Sequence, residues 1–437
     1  MPSHCFLLTL LILTLVLTPL SPVFAATAPL PQAEKPSAAQ TLSLRTAFDE
    51  TLLAGPRAAS IRAQLGIARS AYAQATVFPN PAVVIDNGYR AEQTYRFGAA
   101  FGIEPPWKVA FRFLVAKREV TKADLEIQRT LWILRNDARR AYLDIVVTQE
   151  TAATLKELTD LSQALVDVAR KRKNAGDVPQ LDVLRAHVAM TQAKVEYEKA
   201  VRQTIRAKQQ LNILMGRADD TSLEAPRLPP FQLKAEAVDL LPDLTAELPP
   251  LKPYLAQAYE NRLDLKIVNQ GMRLAKANLL NAYGNILPAP VVSIGRSIAN
   301  NPPDGPKLTG WFLAGEAQVP ILDRQQGERA KFSATIKQLK LESLAQKNII
   351  YAQIADAHQR LVTAREQIRT YHESLLAESS EVVRLAQRSY EVGHADITTT
   401  LTAQQANIQV RLQYLDAIRN YQQALTDLEQ AVGRPLQ

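Results

Sequence analysis

The stretch from Trp107 to Ala175, WKVAFRFLVAKREV through VARKRKNA, contains neither glycine nor proline over its 69 residues. Nothing in it terminates a helix, and an unbroken helix of this length would extend roughly 100 Å. Its apolar positions recur at separations of three, four or seven residues, which is the pattern of a coiled-coil seam. The seam consists of Val120, Ile127, Leu131, Leu134, Ala138, Ala141, Ile145, Ala152 and Leu155.

The composition favours long helices over a broad globular core. Of the 437 residues 47% are hydrophobic, but only 6% are aromatic, which suits narrow helix seams. The net charge of +8 could indicate nucleic-acid binding, but basic residues alternate with acidic ones, as in Lys117-Arg118-Glu119. Because no basic stripe interleaved with aromatics occurs, we do not expect a nucleic-acid partner.

The N-terminus has the features of a secretory signal. An apolar run from Phe6 to Leu20 precedes Val23-Phe24-Ala25, a small-residue cleavage site, so residues 1–25 are predicted to be a signal peptide. Residues 26–41 are rich in Pro, Ala and Gln and are predicted to form a disordered leader. The single cysteine, Cys5, lies within the signal and too early for a lipoprotein cleavage site, so we expect neither a disulfide nor a lipid anchor.

The first half of the mature chain, residues 42–217, is predicted to contain a helix, two strands and a helical hairpin. A helix that starts near Leu42 continues, apart from Gly55-Pro56 and Gly66, to Phe78-Pro79-Asn80-Pro81, and strand-like alternation follows over about residues 82–104. The long helix then ends near Gly176, and a return helix runs to about Gly216.

The second half, residues 254–437, repeats this plan after a Pro-rich connector over residues 218–253. A helix from Tyr254 ends at Pro288-Ala289-Pro290, and strands are predicted over about residues 290–319. A second long helix is predicted from about Ile321 to Val392. Its seam steps by four and three through Ile350, Ile354, Ala357, Leu361, Ala364, Ile368, Tyr371 and Leu375.

The two return helices align without a gap at an offset of 217 residues. Gly176 meets Gly393, Tyr197 meets Tyr414, and Gly216-Arg217 meets Gly433-Arg434. A duplication therefore accounts for the whole plan. In each half the two shorter helices laid end to end equal the long one, which predicts an antiparallel hairpin with a strand pair at one end and a glycine turn at the other.

Four membrane-length strands per chain cannot close a barrel, because membrane barrels need at least eight and open edges are not tolerated in lipid. Two chains would supply eight strands and three would supply twelve. The predicted fold is therefore mainly α, with two tandem repeats of long antiparallel coiled-coil helices and two β-strands each. Several chains would share a β-barrel that continues into an α-helical tunnel.

The chain resembles the outer-membrane efflux channel family, the outer-membrane factors of tripartite pumps. The resemblance covers nearly all of the mature chain. It rests on Phe78-Pro79-Asn80-Pro81, on Gly176 and Gly393, on Arg262-Leu263-Asp264-Leu265, and on the closures Leu214-Met215-Gly216 and Ala431-Val432-Gly433.

A second set of motifs is similar to the heavy-metal efflux branch of the family. The segment Val319-Pro320-Ile321-Leu322-Asp323-Arg324-Gln325-Gln326-Gly327-Glu328 matches its strand-to-helix motif, and Glu104, Lys108 and Arg112 fit the same branch. In the first repeat Pro105-Pro106-Trp107 stands where that branch has glycines, so the chain departs from the pattern there.

The resemblance implies a homotrimer that forms one twelve-stranded barrel in outer-membrane lipid, with a tunnel in the periplasm. It implies a periplasmic adaptor protein and an inner-membrane transporter as partners. Carried onto this chain, the adaptor contacts are Ala175, Gly176, Asp177, Val392, Gly393 and His394, and the pore constriction falls at Asp182, Asp396, Thr399 and Thr402.

Each of these residues also has a structural interpretation. Gly176 and Gly393 are suited to helix C-caps, and Asp177, Asp182 and Asp396 to N-caps or to a solvated surface. His394 could contact a metal at the mouth but is more simply a lone exposed histidine. His187, His358 and His372 share no ligand spacing with Cys or carboxylates, so we expect no structural metal and no cofactor. None of the sequence motifs typical of hydrolases, metalloproteases or nucleotide-binding enzymes occurs, so we do not expect an enzyme.

Three alternatives to metal efflux remain open. The chain could serve efflux of drugs and other organic compounds, it could serve as a type I secretion duct, or it could be a soluble periplasmic coiled-coil adaptor or scaffold. The last explains the helices and the signal but not two matched strand pairs.

Overall fold

The computed structural model describes residues 40–87, 94–217, 231–233, 235–244, 247–300 and 307–436. The predicted signal peptide, Cys5 and all but the end of the predicted leader lie outside these residues, as does the first part of the predicted connector. The described chain is mainly helical, as the sequence predicts.

In the first half, a short strand and a broken helix precede a strand pair and a helical hairpin. The elements are β1 (Gln40–Leu42), α1 (Leu44–Asp49), a π-helical turn (Glu50–Ala54), α2 (Pro56–Ala75), β2 (Ala82–Asn87), β3 (Thr94–Gly102), α3 (Pro106–Ala175) and α4 (Gln180–Met215).

The second half has the same order after a short linking region. Its elements are β4 (Phe231–Leu233), a 3-10 turn (Ala237–Leu240), α5 (Leu251–Asn261), α6 (Leu263–Gly284), β5 (Val291–Asn300), β6 (Lys307–Glu316), α7 (Gln326–Thr370), a π-helical turn (Tyr371–Leu375), α8 (Leu376–Glu391) and α9 (Ile397–Val432).

The glycine- and proline-free stretch forms one helix, α3, of 70 residues. It packs along α4 at one end and along α2 at the other, as the length argument predicts. The return helices α4 and α9 have equal lengths of 36 residues and begin at Gln180 and Ile397, which are 217 residues apart. Both end at a glycine with positive φ, because only glycine adopts the left-handed conformation without strain (Gly216 at 76° and Gly433 at 82°).

Several helix boundaries differ from the prediction. The first helix begins at Leu44, two residues after Leu42, which lies in β1. It is interrupted at Gly55, where the backbone is extended, at the Gly55-Pro56 position that the sequence excepted. The second long helix begins at Gln326 and not at Ile321, because Pro320 and a turn around Asp323 hold the preceding residues out of helical geometry. The same helix contains the π-helical turn Tyr371–Leu375, which the heptad pattern did not predict.

The four predicted strands form a single antiparallel sheet in the order β2-β3-β5-β6. The sequence predicted two separate pairs, and the structure joins them through β3 and β5, where Gly98 lies opposite Gly295. A Cβ atom on either glycine would lie 2.3 Å from a backbone oxygen of the facing strand, so the two strands approach too closely for a side chain. A second, two-stranded parallel sheet of β1 and β4 was not predicted.

The largest apolar core lies where α3, α7 and α9 meet beside α4 and α5. The predicted seams account for much of it. Its members include Ile350, Ile354, Ala357, Leu361, Ala364 and Ile368 from the second seam and Ala141 and Ile145 from the first. Ile127, Leu134 and Leu155 of the first seam are buried in smaller clusters. Among the described residues, no helix has an apolar stretch suited to crossing a lipid bilayer.

Candidate functional site

The first predicted contact turn, Ala175 to Asp177, closes α3 at the end far from the sheet. Gly176 has a φ of 86°, and its backbone N–H donates to the Lys173 carbonyl at 2.9 Å. The N–H of Asp177 donates to the Arg172 carbonyl at 3.0 Å, which satisfies the last carbonyls of the helix. Gly176 is therefore a helix cap, and the three residues of this turn are exposed to solvent.

The second predicted turn, Val392 to His394, has the same geometry. Gly393 has a φ of 83°, and the N–H of His394 donates to the Ser389 carbonyl at 2.8 Å. Val392, Gly393 and His394 are exposed. The duplication that the 217-residue offset indicates is thus reproduced in the backbone of both turns.

The structure brings the two turns together through Arg172, which sequence analysis did not single out. One guanidinium N–H of Arg172 donates to the Tyr390 carbonyl at 2.7 Å, and the guanidinium carbon lies 4.8 Å from the centroid of the Tyr390 ring. A Cβ atom on Gly393 would lie 3.3 Å from the same guanidinium group. Arg172 therefore connects the end of α3 to the end of α8 across the two repeats.

A small apolar cluster lies beneath this contact. It contains Leu165, Val166, Ala169, Val183, Ala186, Tyr390 and Ile397, which come from both repeats. We call the two turns, Arg172 and this cluster the paired tips. Because both halves contribute to the cluster, separating the two turns would expose apolar surface.

Asp182 lies within the paired tips and not on an open surface of the chain. It is 7% exposed, and a guanidinium nitrogen of Arg185 lies 4.0 Å from its carboxylate. The interpretation of Asp182 as an N-cap is wrong, since Pro179 holds that position in α4. Asp177 is not the N-cap of α4 either.

Asp396 and the predicted threonines surround the start of α9. Asp396 occupies the N-cap position, is exposed, and makes no capping hydrogen bond with its side chain. Thr399 and Thr402 are exposed, and the Thr402 hydroxyl donates to the carbonyl of Thr398 at 2.9 Å. Their neighbour Thr400 points inward and donates to the Ala386 carbonyl at 3.2 Å.

Tyr390 is the buried centre of the paired tips. Burial raises the pKa of its hydroxyl, and the negative charges of Asp182 and Asp396 also favour the protonated form. Its hydroxyl is buried and has no hydrogen-bond partner in the described part of the chain.

Two residues of the paired tips break the repeat, and this is the signal that sequence analysis missed. At the 217-residue offset Arg172 corresponds to Ser389, and Tyr390 corresponds to Lys173. The residue types that make the contact of Arg172 with Tyr390 are therefore absent at the corresponding pair of positions. Within the described residues, no group of three or more His, Cys, Asp or Glu side chains could hold a metal ion.

Comparison with known proteins finds similarity to outer membrane efflux proteins. The outer membrane efflux protein profile matches residues 255–434. The chain is 23% identical over 367 residues to the cobalt-zinc-cadmium resistance protein CzcC of Cupriavidus metallidurans, covering 83% of this chain and 82% of CzcC.

Solved structures share the fold. A membrane protein from Pseudomonas aeruginosa superimposes with a TM-score of 0.69 at 20% identity, over 93% of this chain and 96% of that one. The outer membrane protein VceC from Vibrio cholerae gives a TM-score of 0.67 at 16% identity, over 90% and 97% of the two chains. The predicted resemblance to outer-membrane efflux channels and the predicted localisation in the outer membrane are thereby confirmed.

Proposed function

We propose that this chain, whose residues 255–434 carry the outer membrane efflux protein domain, forms a homotrimeric exit duct of a tripartite efflux pump. The observation that carries the proposal is a sheet with one apolar face at one end of helices that extend roughly 100 Å. The duct is passive, and the energy comes from an inner-membrane transporter that a periplasmic adaptor connects to it.

The sheet has one face suited to lipid and one suited to water. Residues that are paired directly across neighbouring strands lie on the same face of the sheet. The pairing places nine large apolar residues on one face, and all nine are exposed. We call this side the apolar face; its large residues are Val83, Ile85, Tyr95, Phe97, Phe101, Ile294, Ile298, Trp311 and Leu313. The opposite face carries mainly small and polar residues, including Gly98, Ser293, Gly295, Ser297 and Gly310, and its large apolar residues include Leu308 and Phe312.

Alternation of this kind is the signature of a membrane-barrel wall with lipid outside and water inside. Within the described residues β2 and β6 each pair with one strand only, so the sheet has two open edges. Three copies would join these edges into a twelve-stranded barrel and leave no backbone group unpaired in lipid.

The paired tips are the proposed contact with the adaptor. Ala175, Gly176, Asp177, Val392, Gly393 and His394 lie exposed at the end of the helices farthest from the sheet. A protein that spans the periplasm from the inner membrane would meet this end first.

The pore constriction is proposed at the start of α4 and of α9. Asp396, Thr399 and Thr402 are exposed and available to line the opening. Asp182 is buried beside Tyr390 and Arg185, so it would reach the pore only when the two turns separate. A constriction with few free carboxylates would select weakly for cations.

Heavy-metal cations are the proposed substrate class. The similarity to a cobalt-zinc-cadmium resistance protein over 83% of this chain supports it. Glu104 and Arg112, which fit the metal branch, form a bidentate ion pair with both distances at 2.7 Å at the junction of the sheet and α3. Organic compounds are the second candidate, because a passive duct needs no metal ligands.

A gene deletion separates the two substrate classes. Loss of tolerance to zinc, cobalt or cadmium with unchanged tolerance to dyes and detergents is the expected result. Unchanged metal tolerance together with lost drug tolerance would move the assignment to organic compounds.

Membrane fractionation tests the duct itself against the soluble adaptor or scaffold. We expect the protein in the outer-membrane fraction, released only by detergent and cross-linked as a trimer. Recovery in the soluble periplasm would overturn the proposal.

A further inference from the structure

The apolar face carries a cation among its aromatic residues. Arg296 lies near the middle of β5, directly opposite Phe97 on β3 and Trp311 on β6, and is exposed like both of them. An arginine that faces hydrocarbon is costly, so its presence there calls for a ligand.

Among the described residues, the Arg296 guanidinium group has an aromatic contact. Its central carbon lies 5.2 Å from the centroid of the Trp311 ring. Among the described residues, no carboxylate lies within ion-pair distance of Arg296. The guanidinium group is therefore oriented by Trp311, while its N–H donors remain available to an anion.

The position of Arg296 along the sheet indicates which membrane surface it meets. Towards the helices, exposed apolar residues continue beyond the strands at Ile103, Val319 and Leu322. From the row of Arg296 and Phe97 to Ile103 the strand extends about 20 Å at 3.3 Å per residue, close to the height of a lipid-facing band. The row of Arg296 and Trp311 thus lies near one edge of the lipid-facing band, the edge that is farther from the helices.

The residues farther out on the same face are consistent with this edge. The next row holds Asn87, Tyr95, Ile298 and Thr309, and the row after it holds Asn300 and Lys307. Aromatic and arginine side chains followed by polar ones are typical of the boundary between hydrocarbon and headgroups.

We propose that Arg296, oriented by Trp311, binds the phosphate of the glycolipid that forms the outer leaflet of the outer membrane. The inference rests on the proposed function, because the helices must lie in the periplasm for this edge to face outward. A guanidinium group presents paired N–H donors that match two phosphate oxygens, and the charge of Arg296 would be neutralised where hydrocarbon ends.

The opposite face of the sheet supplies a matched control. Arg96 lies on β3, its guanidinium carbon is 5.8 Å from the Phe312 ring, and it faces Asp86 at 3.8 Å. It therefore has the same charge and the same kind of aromatic contact as Arg296, but on the small and polar face. A substitution of Arg96 changes the net charge equally without altering the apolar face.

The test measures glycolipid bound to the purified full-length trimer. Diphosphoryl lipid A would be titrated against the wild type, Arg296→Gln, Arg296→Lys and Arg96→Gln in detergent, and bound lipid counted by native mass spectrometry. We expect Arg296→Gln to weaken binding about fivefold, the effect of one basic residue at a membrane surface. Arg296→Lys should keep most of the affinity, and Arg96→Gln should match the wild type.

Two outcomes would overturn the inference. One is that Arg296→Gln does not weaken lipid A binding selectively, either because it binds as well as the wild type or because Arg96→Gln loses as much affinity. The other is binding of phosphatidylglycerol that depends on Arg296 as strongly as binding of lipid A does, which would place the site at the inner leaflet. Fractionation of each variant separates this failure from a failure of the proposed duct, since a wild type outside the outer membrane would reject the duct first.

Discussion

Arg172 of the first repeat donates a hydrogen bond of 2.7 Å to the backbone carbonyl of Tyr390 in the second repeat, and its guanidinium group lies over the Tyr390 ring. The two tips, which the sequence presents as equivalent, are therefore joined by a contact that belongs to neither repeat alone. Because the acceptor is a backbone oxygen, the contact depends on the donor side chain and on the position of the second turn.

Replacing Arg172 should loosen the paired tips. We expect Arg172→Ala to raise the open probability of the trimer in planar bilayers, because one charge-assisted hydrogen bond and one cation–π contact are lost, together about 2 kcal/mol. Arg170→Ala, an exposed residue on the same helix, is the control and should leave conductance unchanged. Equal conductance of Arg172→Ala and the wild type would show that this contact does not hold the tips closed.

Two caps with the same backbone should differ sharply in their tolerance of a side chain. Gly176 and Gly216 both have positive φ, so alanine at either costs about 1 kcal/mol of backbone strain. A Cβ atom at Gly176 meets nothing within 4 Å, whereas at Gly216 it would lie 2.1 Å from Cδ of Pro56. Thermal unfolding should therefore show a larger loss for Gly216→Ala than for Gly176→Ala, and similar losses would contradict the packing of Gly216 against α2.

Among the described residues, removal of one partner of the most buried ion pair should destabilise the fold strongly. Removal of both partners should destabilise it less. Glu429 is 1% exposed and accepts a hydrogen bond from Arg139 at 2.5 Å. Glu429→Leu should lower the free energy of unfolding by about 3–5 kcal/mol, because the guanidinium groups facing it would be left buried and unpaired. The double variant Glu429→Leu/Arg139→Met should recover part of that loss in denaturant titrations. A double variant less stable than the sum of the single ones would contradict this reasoning.

Tyr390→Phe should be neutral at pH 7 and should reduce the loss of stability in alkali. The Tyr390 hydroxyl has no partner among the described residues, so its removal leaves no donor unpaired. Its pKa is raised in the folded chain, chiefly by burial, so its contribution to stability is complete below the ordinary value near 10 and is lost as pH rises through the folded value.

The measurement for Tyr390→Phe is the melting temperature between pH 7 and 12. The wild type should lose stability more steeply above pH 10 than the variant does. Tyr259→Phe serves as the control, since Tyr259 is exposed and should not change the slope. Parallel curves for the wild type and Tyr390→Phe would show that Tyr390 does not ionise differently in the folded and unfolded states.

Local sequence determined the helices and their pairing. The absence of glycine and proline over Trp107–Ala175 leads to a single helix with bounds within one residue of the prediction. The 217-residue offset reappears as two return helices of equal length that end at left-handed glycines. These features are set by propensity, periodicity and backbone conformation, which act over a few residues and are visible without tertiary structure.

Tertiary packing decided what the pattern could not. The parallel pairing of β1 with β4 joins residues about 190 apart, and the π-helical turn at Tyr371–Leu375 interrupts a flawless heptad. Whether Thr400 or Thr399 is the buried residue of α9 depends on where α8 packs. The contact of Arg172 with Tyr390 depends on both repeats. The position of Arg296 on the apolar face became visible only when register placed it between Phe97 and Trp311. Such contacts join residues distant in sequence, and no local preference encodes them.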